Sequence, residues 1–578
     1  MLSTQGFFAS RSRLAGRSGL HARLLALCVL VLAAAPSRSI YAAEETSRAN
    51  FRGAASLTDN INKRLRQEWD LAKVSASPTA TDGEWCRRVY LDVVGRIPSV
   101  DELERYLAEP ARNRKAGLVG RLLGSEYSAD YARNWSTLWT NVLIGRSGGT
   151  GRNSLINRDG LRQALAEALD RNLPYDQLAL ALVSAKGVSK PGEPGFNGFV
   201  NFLAGSLQEN AVQATAKTAQ VFLGLQIQCT QCHNHPFNEW KQNQFWELNA
   251  FFRQTRALRR FDADGGRQVA SIELIDQDFA GENSKPDEAA VFYELRNGLT
   301  KVAYPTFVDG TRLASASGYV SDVERRGELA KLIVASDYLA PALVSRMWAH
   351  FFGYGFTKPV DDMGPHNPPH HAELLAELAA GFRDSGFDQK ELIRAIVLSD
   401  AYALSSKPGL RNKKDDPLLG EAPQFSRFYL RQMRAEELYE SLLVATTADR
   451  TSDAAEQESV RRRWLDQFTV AFGTDDQGEA TTFNGTIPQT LMMMNGELMK
   501  RATSASAGGF LHSLAHDAKL NNAARLNRLY LAALARRPTG QEISLANELM
   551  LARKGDPVAA LQDVWWAVLN CNEFILNH

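Results

Sequence analysis

At 578 residues the chain is too long for one hydrophobic core, so more than one folding module is expected. With 66 Lys and Arg against 65 Asp and Glu, interspersed along the chain, the formal net charge of +1 excludes a basic nucleic-acid face and an acidic tail. No nucleophile elbow, H-E-x-x-H pair, P-loop or dinucleotide fingerprint occurs, so the common hydrolase, kinase and dehydrogenase classes lack their sequence carriers.

The N-terminus differs from the rest. Arg11, Arg13, Arg17 and Arg23 precede the apolar run Leu24–Ala35, and Tyr41-Ala42-Ala43 follows before Glu44. This reads as a cleavable export signal over residues 1–43, its apolar core being shorter than the ~20 residues of a membrane span. No later stretch is long and apolar enough to span, so the mature chain is expected to be periplasmic or secreted. There Cys86 and Cys571 could pair or stay free, while Cys28 would leave with the signal.

After a polar linker, Leu57–Val74 predicts an amphipathic helix broken by Pro78–Gly83. A second helix carries Trp85, Val89, Tyr90, Val93 and Val94 and stops at Gly95. Ser99 then opens a third, with Glu102 three residues on completing a capping box. This junction recurs: Arg88–Leu103 aligns without gaps on Arg528–Ile543, matching Tyr90 with Tyr530, Arg96 with Arg536, Pro98 with Pro538, Ser99 with Thr539 and Glu102 with Glu542. The matched residues have capping or core roles, which points to a duplicated packing unit. Further helices are expected around Trp135 and Trp139 and over Leu161–Leu173.

Residues 219–240 hold the densest chemistry. Cys229, Cys232 and His233 form C-x-x-C-H, the pattern by which exported proteins attach haem c through two thioethers with the adjacent histidine as axial ligand. The proline-free lead-in predicts a helix from Gln208 to Cys232, with the cysteines in its last turn and Pro236 stopping it. On such a helix the two sulfurs and the imidazole share one face. Other readings of the same residues stay open: a small disulfide, a redox pair, buried thiols, or zinc held by Cys229, Cys232, His233 and His235. A thioredoxin-like role fits poorly, because a helix C-terminus raises rather than lowers a thiol pKa.

Lys241–Arg253 continues with Phe245, Trp246, Leu248, Phe251 and Phe252, a cluster that reads as core. From Arg256 to Asp322 the texture turns β-prone, and Asn297-Gly298 predicts a hairpin with a type I′ turn. Helices resume at Arg325. Leu343–Phe352 carries Arg346, Met347, Trp348 and His350 and leads into a loop with Asp361, Asp362, Met363, His366, His370 and His371. A proximal His233 would need its second axial ligand from this half, with His350 and His371 the principal candidates beside His366, His370, Met347 and Met363. Helices over Glu373–Ala380, Gln389–Tyr402 and Ala435–Val444 follow.

The runs Arg87–Ser99, Asn172–Asp176 and Thr218–Phe237 resemble the cytochrome-associated domain of unknown function found in planctomycetes and relatives. Ser345–Gly353, Pro359–Gly364 and Pro368–Leu375 are similar to its C-terminal companion domain. The resemblance covers nearly all of the mature chain. It implies an exported protein without an assigned activity, leans toward haem through the association with cytochromes, and suggests a redox or sulfatase-like exported partner.

The expectation is therefore a mainly α protein of two helical domains, 51–255 and 325–578, with a small β insert over 256–324 between them. Three functions compete: a c-type haem redox or electron-transfer protein, a non-haem zinc protein or hydrolase using Cys229, Cys232, His233 and His235, and a non-catalytic binding scaffold stapled by a C-x-x-C disulfide.

Overall fold

The computed structural model describes residues 53–578 apart from 152, 262–268, 452, 473–485 and 507–508. The export signal expected over 1–43 lies outside the described residues. The described residues form a mainly α fold with only small sheets, and they pack as one compact unit. No helix among the described residues is long and apolar enough to cross a membrane.

The duplicated junction is present at both ends of that unit. Asp82–Val94 is a helix closed by Gly95 at φ 76°, and Val100–Ala108 follows from Ser99 through a complete capping box. In the second copy, Asn522–Leu534 ends at Ala535, also left-handed at φ 53°, and Gly540–Ala552 starts from Thr539 through the same box. The arginine behind each box behaves alike. Arg96 grips Glu102 with both Nη atoms (2.9 Å each) and Asp130 through Nε (3.0 Å). Arg536 grips Glu542 with both Nη atoms (2.9 and 2.8 Å) and Glu573 through Nε (2.6 Å). Each guanidinium also lies over the matched tyrosine, 5.5 Å from the Tyr90 ring and 5.4 Å from that of Tyr530. The two copies touch: a Cβ on Gly83 would collide with the Ala535 carbonyl.

Buried arginines stitch the two ends together. Arg87 donates to the carbonyls of Phe574 (2.6 Å) and Leu576 (3.1 Å), and Arg88 to those of Leu404 (2.9 Å), Tyr402 and His578 (3.0 Å). Arg88 also stacks on Phe428, 3.7 Å from its centroid. Both guanidinium groups are buried, and the loss of hydration brings each pKa down to about 10. Beside them Asp92, fully buried, accepts from Tyr402 Oη (2.6 Å), Asn577 Nδ2 (2.8 Å) and Arg431; burial pushes its carboxyl up. The short pairing of Arg431–Gln432 with Leu576–Asn577 fastens the same seam. Leu91, Ile97 and Val100 accordingly share a core with Leu438, Leu442, Trp565 and Phe574.

The β-prone region contributes to two sheets. Thr255–Phe261 and Val269–Asp276 pair antiparallel, and Gly187–Val188 from the first half adds a third strand. Arg326, buried, locks this sheet to the second half through Asp276 (2.9 Å) and the carbonyls of Val183 and Ala185 (2.8 and 2.7 Å). The hairpin joins Val291–Glu294 to Thr300–Ala303 as expected, but its turn is not type I′. Gly298 alone has positive φ (81°), its N–H reaches Leu295 O (2.9 Å), and Asn297 uses its side chain to accept from Leu299 N (3.2 Å). That is a type I turn followed by a left-handed glycine.

The long helix expected from Gln208 to Cys232 is shorter. Gln208–Thr218 is helical apart from Glu209, Asn210 and Ala211, three non-glycine residues at φ 51–62°. Each such residue costs about 1–2 kcal/mol, and the Asn210 carbonyl is held by Asn249 Nδ2 (2.8 Å) and Arg253 Nη1 (3.4 Å). A wide turn over Ala219–Leu223 then ends at Gly224, φ 67°. Tertiary packing sets this stop. Met363 N–H donates to Gly224 O (2.8 Å), and a Cβ at Gly224 would lie 3.1 Å from Met363 Sδ.

Candidate functional site

Because the helix stops at Gly224, the cysteines sit on a separate tight turn, Gln228–Gln231, with Cys232 closing it. Thr230 is buried beneath and donates Oγ1–H to Ile227 O (2.6 Å). The Gln231 carbonyl is clamped by Gln242 Nε2 (3.2 Å) and Trp246 Nε1 (3.0 Å), and Asn234 Oδ1 accepts from Gln242 N (3.0 Å). The turn is thereby tied to the helix Gln242–Asn249, while the Cys229 and Cys232 thiols are free and exposed. Phe237 protrudes beside them at 85% exposure. Phe245, Leu248, Phe251 and Phe252 are buried, as core residues. Cys86, buried, and Cys571, half-buried, are both unpaired.

The two histidines of the turn are set in opposite ways. His233 Nδ1 lies 2.6 Å from the Asn234 carbonyl. A carbonyl only accepts, so Nδ1 carries the proton and Nε2 keeps an open lone pair, the arrangement of an imidazole ready for a metal. His235 Nδ1 instead receives the backbone N–H groups of Phe237 (3.3 Å) and Asn238 (3.2 Å). Its lone pair is used there, and the neutral ring has its proton on Nε2. Burial lowers the His235 pKa, with His366 and His233 adding to the effect against Asp362.

The second half contributes a loop to this face. Asp361 accepts from Gln226 Nε2 (2.8 Å) and pairs with Arg346 (3.4 Å). The His366 ring lies 6.4 Å from that of His235, and its Nε2–H donates to Asp362 Oδ1 (3.0 Å). That leaves His366 Nδ1 buried and without a partner among the described residues. Of the candidates named from sequence for a second ligand, His366 stands beside the Cys229–His235 turn.

The principal candidates are engaged elsewhere. His350 Nε2–H donates to Asp92 O (3.0 Å), its ring 4.8 Å from that of Trp135. Burial, then Arg434 and Arg431, holds its pKa well below the usual imidazole range. His371 Nε2–H donates to Pro423 O (2.7 Å), and Nδ1 faces Glu68. Among the described residues no three His, Cys, Asp or Glu side chains are gathered into a metal cage. Sequence reasoning had no local signal for the pairing of His235 with His366, because Gly224 and Met363 create it across more than a hundred residues.

Residues 60–257 match the family model PSCyt2, protein of unknown function (DUF1549), and residues 325–550 match PSD1, protein of unknown function (DUF1553). No curated protein and no solved structure matches the chain. The chain therefore carries a PSCyt2 domain followed by a PSD1 domain, two families of unknown function in the order that its motifs suggest.

Proposed function

We propose that this chain is a c-type haem protein of an extracytoplasmic compartment, in which Cys229 and Cys232 would hold the group through their sulfurs and His233 Nε2 would ligate its iron. The observation that carries the reading is the hydrogen bond from His233 Nδ1 to Asn234 O, which leaves Nε2 open beside two exposed thiols. Bound there, haem would supply one-electron chemistry. The chain's own residues orient His233, hold the turn against Gln242 and Trp246, and set the His366 ring, steadied by Asp362, beside that turn. Exposed thiols suit enzymatic attachment, and the protruding Phe237 suits contact with a redox or sulfatase-like exported partner.

The competing zinc centre needs His235 as a fourth ligand, and the lone pair of His235 Nδ1 is already taken by two backbone N–H groups. That leaves Cys229, Cys232 and His233, which the described structure does not gather around one point; closing them on zinc would leave an open position, the form that permits hydrolysis.

The test is production in a periplasm competent for haem c maturation. The expected product has a Soret band and a covalent mass increase of one haem, both lost in Cys229→Ser and Cys232→Ser. His366→Ala should retain the covalent haem and change its spin-state spectrum. A colourless protein with stoichiometric zinc moves the assignment to the open zinc site. A colourless, metal-free protein with a Cys229–Cys232 disulfide leaves only the scaffold reading.

A further inference from the structure

The second half of the chain holds a pair of imidazoles that the Cys229–His235 turn does not use. Phe510–His516 is a short helix whose inner face is set by its apolar residues: Leu511, Leu514 and Ala515 are buried, and Phe510 packs on Trp565 with ring centroids 5.3 Å apart. Burying that face turns positions 512 and 516 outward, and residues four apart on a helix stand one above the other. Both are histidine. Their rings lie face to face, with centroids 4.2 Å apart and planes inclined by 27°. His516 is exposed and His512 half-buried, so the pair is open to solvent on a helix that the core holds in place.

One of the two rings has its proton placed by the backbone. His516 Nδ1 lies 2.9 Å from the carbonyl of His512. A carbonyl only accepts, so the neutral ring carries its proton on Nδ1 and keeps its lone pair on Nε2. Metal-bound imidazoles are commonly steadied in this way, by donating the second ring N–H to a backbone carbonyl. The His512 ring has neither hydrogen bond nor ion pair among the described residues, so its nitrogens are not committed there. The carboxylate that follows, Asp517, turns Oδ1 to Lys519 N (2.9 Å). The donor set is therefore two imidazoles, in keeping with the lack of any three-residue cage among the described residues.

Two histidines at i and i+4 on one helical face can bind a single ion between them. The last turn of a helix, with its carbonyls facing outward, also favours positive charge. We propose that His512 and His516 form a surface dihistidine site for a divalent transition cation, with water filling the remaining positions. Neutral imidazole selects the class: it suits Cu2+, Ni2+ and Zn2+, whereas Mg2+ and Ca2+ require oxygen ligands that this pair does not supply. Among the three, Cu2+ binds tightest to such nitrogens.

The experiment is calorimetric titration of the full chain with CuCl2, in a Cys229→Ser/Cys232→Ser background so that the thiols cannot take the ion. The further variant His512→Ala/His516→Ala should bind one Cu2+ fewer per chain. Each single variant should weaken that ion about tenfold or more, and Ser513→Ala, between the two on the same helix, should leave it in place. NiCl2 and ZnCl2 should compete for the position while MgCl2 does not. Should the double variant fail to fold, His516→Ala, at an exposed position, carries the same comparison. An unchanged number and affinity of bound ions in the folded variants, or displacement of Cu2+ by MgCl2 at equal concentration, overturns the assignment.

Discussion

The two capped turns are nearly the same sequence in two different settings. Arg96, Pro98, Ser99 and Glu102 build the same local geometry as Arg536, Pro538, Thr539 and Glu542, down to the tyrosine under each guanidinium. Yet Arg88 is buried among carbonyls, while its counterpart Arg528 stays near the surface, paired with Asp101 at 3.6 Å. The helix after the first turn buries Val100, Leu103 and Tyr106 fully, whereas Gly540–Ala552 only leans on the core through the half-buried Ala546 and Leu549. Local sequence therefore sets the turn, and the surroundings decide whether it becomes core.

The largest break in that comparison is expected at the aligned arginines. Arg88→Met leaves buried carbonyls without donors and should cost about 3–5 kcal/mol of unfolding free energy, whereas Arg528→Met should stay within about 0.5 kcal/mol. Equal losses in urea denaturation would remove the distinction between core and surface copies.

The helix stops come next. Gly95→Ala puts a Cβ 2.6 Å from Asn134 Oδ1 at φ 76° and should cost about 2 kcal/mol or more. Ala535→Gly relieves the same conformation and should raise stability by at most about 1 kcal/mol, since glycine gives part of the gain back as chain entropy. Thermal melts of the two variants should therefore move in opposite directions.

Acid sharpens the second copy. Arg536, by direct hydrogen bonding, holds Glu542 at about 2 against an ordinary 4.5, helped by Thr539. A depressed carboxylate stabilises the fold above its unfolded value and loses that contribution as pH falls through the folded one. The Tm difference between the parent and Glu542→Gln should be constant above about pH 5 and shrink toward zero between 4.5 and about 2. A difference that persists at pH 2 would show that the carboxylate charge is not what steadies this turn. Because Glu542 remains solvent-accessible, screening keeps the effect modest.

What could be read in advance follows from the range of each interaction. Ser99 with Glu102 and Thr539 with Glu542 are separated by three residues, so both capping boxes were visible. The β hairpin was visible too, but Asn297 bonding through its side chain exchanged the type I′ turn for one with a single left-handed glycine. The helix expected from Gln208 to Cys232 ran on through Gly224, because Met363, which fixes that glycine as a stop, lies far along the chain. The four arginines at positions 87, 88, 325 and 326 gave no sign of burial, since their partners are mostly distant carbonyls. At the candidate site the residue types of the Cys229–His235 turn were legible. The opposite proton positions of His233 and His235 depended on one backbone carbonyl and two backbone N–H groups that no spacing rule fixes.

The acceptors of Arg87 lie 446, 487 and 489 positions downstream. During synthesis this guanidinium has nowhere native to go until the final strand has emerged, so the opening helices remain an unfinished surface for almost the whole passage of the chain. Early truncation products should accordingly be aggregation-prone.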